Sequence, residues 1–374
     1  MSVAVALEHI EYDEDIREQE EVLATEDDTN EIPPMDIVAF NELRSCADIV
    51  RMYKNGQLNI QPDFQRDVVW SNASKTRFID SLIKQLPIPS MCISLDYRTD
   101  ERLVIDGLQR ISSIISFLTD DDWKLSKLAD VDTKISGKTV GYIKEKLTSI
   151  FERVENLTIP ITVLRCDYSK KSHKQYLFTI FHRLNTGGNK LTNQEIRNCI
   201  YAGKLNILLR ELVQYENFRL MLDLEEGVSY RCAYEELILR LFAFSEKRND
   251  YKGGLANFLN NYMDDNKELN EVKSAQKRHN FQRTIDLLYL RILNETSLPK
   301  ISKTTKEAIL VGVYSNINDL ENIEDRELKE MLDNLRNDDL FSLENLKEGL
   351  SGREKVQVRL ERAVNIFNPN HVAG

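Results

Sequence analysis

Three short stretches of this chain gather residue types that handle anions. The first is Arg102-Leu-Val-Ile-Asp-Gly-Leu-Gln-Arg-Ile111. Its apolar run Leu103-Val104-Ile105 reads as a short buried strand with Asp106 at its carboxyl end. Gly107 permits a sharp turn, and Ile111, Ile114, Ile115 and Leu118 recur at helical spacing, so a helix opens near Gly107 to Gln109. Free N–H groups at a helix start attract phosphate, and Arg110 can grip one through two parallel hydrogen bonds. Asp106 is a candidate Mg²⁺ ligand or water-orienting base. A carboxylate beside a phosphate site repels the anion unless a cation lies between them, which argues for a metal.

The second stretch is Phe64-Gln65-Arg66, followed by Val69-Trp70. It puts an amide beside a guanidinium on an irregular segment, a pairing suited to a phosphate or a base edge. The third runs from Phe181-His182-Arg183-Leu184-Asn185-Thr186-Gly187-Gly188 to Leu191-Thr192 and Glu195-Ile196-Arg197. Its paired glycines can present N–H groups to an anion. Each stretch has a plain structural alternative: a helix cap, a surface loop pinned by Phe64 and Trp70, and a helix–loop–helix connection. Their co-occurrence in one region favours a joint anionic site.

The elements that position these stretches follow from periodicity and punctuation. Residues 41–55 read as a helix with Leu43, Ala47, Val50 and Met52 on a loose apolar face, ended by Asn55-Gly56. Leu58-Asn59-Ile60 is extended. Ser71 caps a helix reaching about Leu86, stopped by Pro87 and Pro89. Met91 to Leu95 and Leu103 to Ile105 form a strand pair, and a helix spans 108–119. Residues 120–155 are polar and give no clear assignment. Ile159 to Leu164 is a strand in which Pro160 marks a start or an edge. Residues 172–184 are helical, and Thr192 with Glu195 forms a capping box for the next helix. From about Lys204 onward almost every segment has helical spacing.

The fold class is therefore α+β. An acidic tail (1–35) precedes a mixed domain (36–200) and an all-helical domain (201–374). The tail cannot bury much surface and reads as disordered, with DNA mimicry or self-inhibition as the functional alternative. The chain has 374 residues and a net charge of −11, which argues against global electrostatic capture of DNA but allows a local basic patch. No apolar run approaches the roughly 20 residues of a membrane span, and the acidic N-terminus is no secretion signal. The scattered Cys46, Cys92, Cys166, Cys199 and Cys232 read as buried thiols of a cytoplasmic protein. The histidines are equally dispersed, so no zinc site is expected.

Taken together, four motifs in order carry a resemblance. They are Ile60-x-Pro62-x-Phe64-Gln65-Arg66-x-x-Val69-Trp70; Ile79-x-Ser81-Leu82-Ile83 with Pro87-Ile88-Pro89; Ile105-Asp106-Gly107-Leu108-Gln109-Arg110; and Phe181 through Arg197 as given above. The chain resembles, over roughly residues 36–370, the N-terminal domain of GmrSD-type modification-dependent restriction endonucleases, of the ParB/sulfiredoxin-like group. The resemblance implies a ParB/sulfiredoxin-like mixed sheet, Mg²⁺ and a nucleoside triphosphate as cofactors, and a role in restriction or phage defence. It implies catalytic roles for Asp106, Gln109 and Arg110, with Asp106 on the metal. It implies nucleotide binding by Gln65, Arg66, Gly107, Arg110, Arg183, Asn185, Gly187 and Gly188. Leu108 stands where the family has a Gln, so Asp106, Gln109 and Arg110 must carry that motif.

Full-length relatives often add a His-Asn-His nuclease, but residues 200–374 hold only His279 and His371. Either the chain acts alone through its nucleotide site, as an NTP-hydrolysing component, or a separate partner nuclease subunit supplies cutting; DNA nicking from the Asp106 site is a second expectation. A third is a non-catalytic regulator that senses nucleotide or DNA.

Overall fold

The computed structural model describes residues 34–60, 70–184, 191–228, 230, 232–342, 345 and 351–370. The chain divides into two compact units between Leu191 and Thr192. The α+β class holds.

The first unit is built on a five-stranded mixed sheet ordered β1-β5-β3-β4-β2. Its strands are β1 (Val38–Ser45), β2 (Leu58–Asn59), β3 (Met91–Asp96), β4 (Arg102–Asp106) and β5 (Thr158–Cys166). β1 runs antiparallel to β5, and β3 antiparallel to β4; the β3–β5 and β2–β4 pairs are parallel. β3 and β4 are buried almost throughout, which explains why they read as apolar runs rather than alternating patterns.

The helices of this unit are α1 (Cys46–Lys54), α2 (Asn72–Ile83), α3 (Leu108–Thr119), α4 (Val140–Lys146), α5 (Thr148–Asn156) and α6 (Lys171–Leu184). Ile49, Ile79, Leu82, Ile114, Phe117, Ile143, Val154 and Ile159 meet in one core. This core fixes α3 relative to β4, and so sets the angle at which Asp106 and Arg110 face each other.

Two expectations change. Residues 41–45 are strand, not helix: β1 ends at Ser45, whose side chain caps α1 by accepting from the Asp48 N–H at 3.0 Å. β5 is interior rather than an edge, since it pairs with both β1 and β3. Pro160 is tolerated there because it stands opposite Leu43, and the β3 pairing begins only at Ile161.

The described part of the second unit contains helices and no strand. They are α7 (Asn193–Ile200), α8 (Lys204–Val213), α9 (Glu216–Met221), α10 (Ala233–Lys247), α11 (Leu255–Asp265), α12 (Glu271–Asp286), α13 (Lys303–Leu320), α14 (Asp325–Arg336) and α15 (Arg353–Ile366). Its centre holds charge as well as apolar side chains. Glu236 accepts from Arg197 at 3.0 Å and from Arg240 and Lys303 at 2.8 Å each. Arg240 also reaches Glu307 at 3.4 Å. Among the described residues no helix is long and apolar enough to cross a membrane.

Candidate functional site

Strand β4 delivers Asp106 to the sheet's end, and the chain turns at once into α3. Gly107 makes that turn at φ +92°, in the left-handed region, and occupies the helix N-cap without a capping side chain. A Cβ built there would stand 2.6 Å from Met91 Cγ. Both the backbone angle and the close approach therefore demand glycine.

Asp106 does not cap the helix. Its Oδ2 accepts instead from Arg110 Nη2 at 2.7 Å, one turn into α3. The other arm of the same guanidinium, Nη1, donates to the Pro89 carbonyl at 2.5 Å. Arg110 is largely buried at 15% side-chain exposure, whereas Asp106 is at 42%. The guanidinium thus braces the β3 approach and the β4 end against α3, and leaves a half-exposed carboxylate at the helix start. Gln109 is positioned as well: its Oε1 accepts from the Trp70 main-chain N–H at 3.1 Å. Trp70 itself packs edge-on to Phe78 in α2. The first motif and the end of the second therefore come together in space.

Cys92 lies opposite Asp106 in the β3–β4 ladder. Burial, with a smaller contribution from the Asp106 charge, pushes its thiol up to about 12. It stays protonated at neutral pH and is no nucleophile.

Residues 46–202 match the GmrSD restriction endonuclease, N-terminal domain, family. This region is a GmrSD N-terminal domain. The match starts directly after β1 and runs just past α7. No curated protein and no solved structure is detectably similar to the chain. The matched family is one of restriction endonucleases, and the match covers fewer than half of the chain's 374 residues.

Within the GmrSD N-terminal domain, the remaining candidate residues fall out unevenly. Arg183 stands exposed in the last turn of α6, a helix that packs against β4. Gln65, Arg66, Asn185, Gly187 and Gly188 lie outside the described residues. The tail of the third motif has a structural duty. Thr192 and Glu195 form the expected capping box of α7, with the Thr192 N–H donating to Glu195 Oε2 at 2.6 Å. Arg197, read from sequence as part of an anion-handling cluster, is 1% exposed and donates to Glu236, Asn260 and Gln194. The Pro89 carbonyl is the contributor that sequence reasoning missed. Its signal is the Pro87-Ile88-Pro89 motif, which reads from sequence as a helix stop and a mark of the family rather than as part of the site.

The donor set bears on the metal. Among the described residues no group of three or more His, Cys, Asp or Glu could hold one. Asp106 is a single carboxylate with one oxygen engaged by Arg110. That does not make a protein cage, but it fits the way Mg²⁺ is commonly held, by one carboxylate together with waters and phosphate oxygens. Arg110 already gives Asp106 a countercharge of its own.

Gly107→Ala tests the turn. It forces a left-handed alanine against Met91 and is expected to destabilise the domain by about 1–3 kcal/mol, read as a lowered Tm. An unchanged Tm would show that the turn relaxes without cost.

Proposed function

We propose that the GmrSD N-terminal domain of this chain binds a nucleoside triphosphate at the start of α3 and hydrolyses it, as part of a restriction machinery that acts on or senses DNA. The observation that carries this reading is the Arg110 brace. It fixes a half-exposed carboxylate beside an uncapped helix N-terminus. The helix start attracts phosphate oxygens, and Arg110 keeps N–H groups beyond those given to Asp106 and Pro89. Asp106 orients the attacking water and accepts its proton. Gln109, held by Trp70, presents its amide beside them. Mg²⁺, when bound, supplies charge neutralisation at the phosphate oxygens. Phosphoryl transfer asks mainly for positioning and electrostatics, which suits this set. Gln65, Arg66, Arg183, Asn185 and the Gly187-Gly188 backbone are proposed to close the nucleotide from other sides.

A specific observation also favours a second reading, a nucleotide- or DNA-sensing regulator that recruits a partner nuclease. Arg110 pairs with Asp106, so the carboxylate has a structural partner apart from any catalytic step. Labelled NTP turnover by the purified chain, with Mg²⁺ and with or without DNA, separates the readings. Turnover supports hydrolysis, binding without turnover supports the regulator, and strand nicking points to a nuclease using the same carboxylate.

Arg110→Ala removes both the brace and a phosphate donor. Calorimetry is expected to show NTP binding weakened at least tenfold, the ordinary scale for losing a charge-assisted contact of about 1.5–3 kcal/mol. Unchanged affinity would remove Arg110 from the phosphate site.

A further inference from the structure

Among the described residues β1 ends the sheet, and one of its two edges has no strand beside it. The direction of its main chain can be read from the α1 junction. The Cys46 N–H donates to the Leu157 carbonyl at 3.0 Å, in line with the ladder in which Ser45 stands opposite Thr158. Even-numbered residues of β1 therefore turn their main chain toward β5. Ala39, Asn41, Leu43 and Ser45 turn theirs outward. Pro160 agrees with this parity, because it faces Leu43, where the β1–β5 ladder needs no N–H. No described residue bonds the outward main-chain groups of Ala39, Asn41 and Leu43, while the Ser45 carbonyl serves the first turn of α1.

Such an edge is usually guarded by Lys, Pro or a bulge. β1, of sequence VAFNELRS, has no Lys, Pro or bulge, and its two charges, Glu42 and Arg44, neutralise one another. It also carries exposed apolar side chains, with Val38 at 49%, Phe40 at 39% and Leu43 at 70%. An unguarded edge of this length is a site for strand addition.

We propose that β1 pairs antiparallel with β1 of a second copy of this chain, about a two-fold axis through Leu43. Charge complementarity points to a second copy as the occupant and, of the axes at residues 42, 43 and 44, to the one at Leu43. Glu42 and Arg44 lie on one face of the strand, paired within the chain at 2.8 and 2.9 Å. A two-fold at Leu43 sets Glu42 of each copy opposite Arg44 of the other, the favourable cross-strand arrangement. Moving the axis to residue 42 sets Glu42 against its own counterpart, and moving it to residue 44 opposes two Arg44 side chains. An axis between residues breaks the main-chain parity. With the axis at Leu43, the outward groups of Leu43 meet each other, and those of Asn41 meet Ser45. This forms about four main-chain hydrogen bonds by antiparallel geometry, since the Ser45 carbonyl belongs to α1. The two Leu43 side chains, the most exposed apolar groups of the strand, then cover one another.

Sedimentation analysis of the full chain over a concentration series tests this. The wild type is expected to show a concentration-dependent dimer. Leu43→Lys should weaken dimerisation at least tenfold with an unchanged Tm, because Leu43 is exposed in the single chain. Glu42→Arg and Arg44→Glu should each be monomeric alone and recover the dimer when mixed, since only the mixture opposes unlike charges. Loss of the in-chain ion pair cannot produce that recovery. A wild type that stays monomeric, or a dimer indifferent to Leu43→Lys, would overturn the proposal. So would a dimer seen only after residues 1–33 are deleted, because the chain's own N-terminus would then be the occupant. Failure to recover on mixing would overturn the register.

Discussion

Glu236→Gln should lower the Tm of the helical unit by roughly 10 °C. That follows from a loss of about 3–5 kcal/mol when one partner is removed from a buried ionic cluster, at about 2–4 °C per kcal/mol for a unit of this size. Glu236 is 9% exposed and receives Arg197, Arg240 and Lys303. Glutamine keeps the volume and one acceptor oxygen but loses the charge. The guanidiniums of Arg197 and Arg240, themselves 1% and 7% exposed, then stay buried with much less compensation. The cost lies in the cations left behind rather than in the one carboxylate removed. A Tm drop of only about 1–2 °C, the effect of a surface ion pair, would mean that water or rearrangement rescues the cluster.

The same residue gives a signed pH dependence. Burial alone pushes the Glu236 carboxyl up, but Lys303, Arg240 and Arg197 outweigh it and hold the group well below the ordinary glutamate range. A folded-state value below the unfolded one means that the stabilisation is fully present above about pH 4.3 and is lost as pH falls through the folded value. The stability gap between wild type and Glu236→Gln should therefore be constant near neutrality and shrink in acid. Urea melts at neutral pH and at progressively lower pH measure it. A gap that stays constant through the acid range would disprove the charge assignment.

The sequence made some of these features legible and hid others for identifiable reasons. The start of α3 was visible because an apolar run, a glycine and a 3.6-residue spacing follow one another between Leu103 and Leu118. β1 was hidden because it is exposed along most of both faces and so shows no alternation. Leu43, Ala47 and Val50 then extended a helical pattern backwards across it. The corrective signal was Ser45, followed three residues later by Asp48 in the first turn of α1. α4 and α5 went unassigned because each is under three turns long and their stretch is polar, although Thr139 caps α4. At the site, Asp106, Gln109 and Arg110 were selected by type and spacing. The Arg110 contact with Pro89 crosses 21 positions and belongs to the tertiary fold. Arg197 shows the converse case. An arginine in a polar motif reads as solvent-facing, and only helix packing reveals its burial.

Asp106→Asn should reduce NTP hydrolysis by about a hundredfold or more while leaving the Tm within about 1 °C. The rate expectation is the usual scale for losing a catalytic base or charge-stabilising group. The stability expectation follows from the Asp106–Arg110 pair, whose carboxylate is half-exposed at 42% and belongs to a class worth less than about 1 kcal/mol. Asparagine can still accept from Arg110 Nη2 through its amide oxygen, and Arg110 keeps its hold on Pro89. The brace thus survives while the charge disappears. Helix capping cannot account for a rate loss, because Gly107 occupies the N-cap and Asp106 bonds the Arg110 side chain instead. Nucleotide affinity measured without Mg²⁺ should hold or rise, because the substitution removes a negative charge beside the phosphate position and frees Arg110 from its anionic partner. Weaker metal-free binding would make Asp106 a contributor to nucleotide binding through the Arg110 geometry. Equal hydrolysis by two equally stable proteins would assign Asp106 to structure alone, and the domain would then act by binding rather than by turnover.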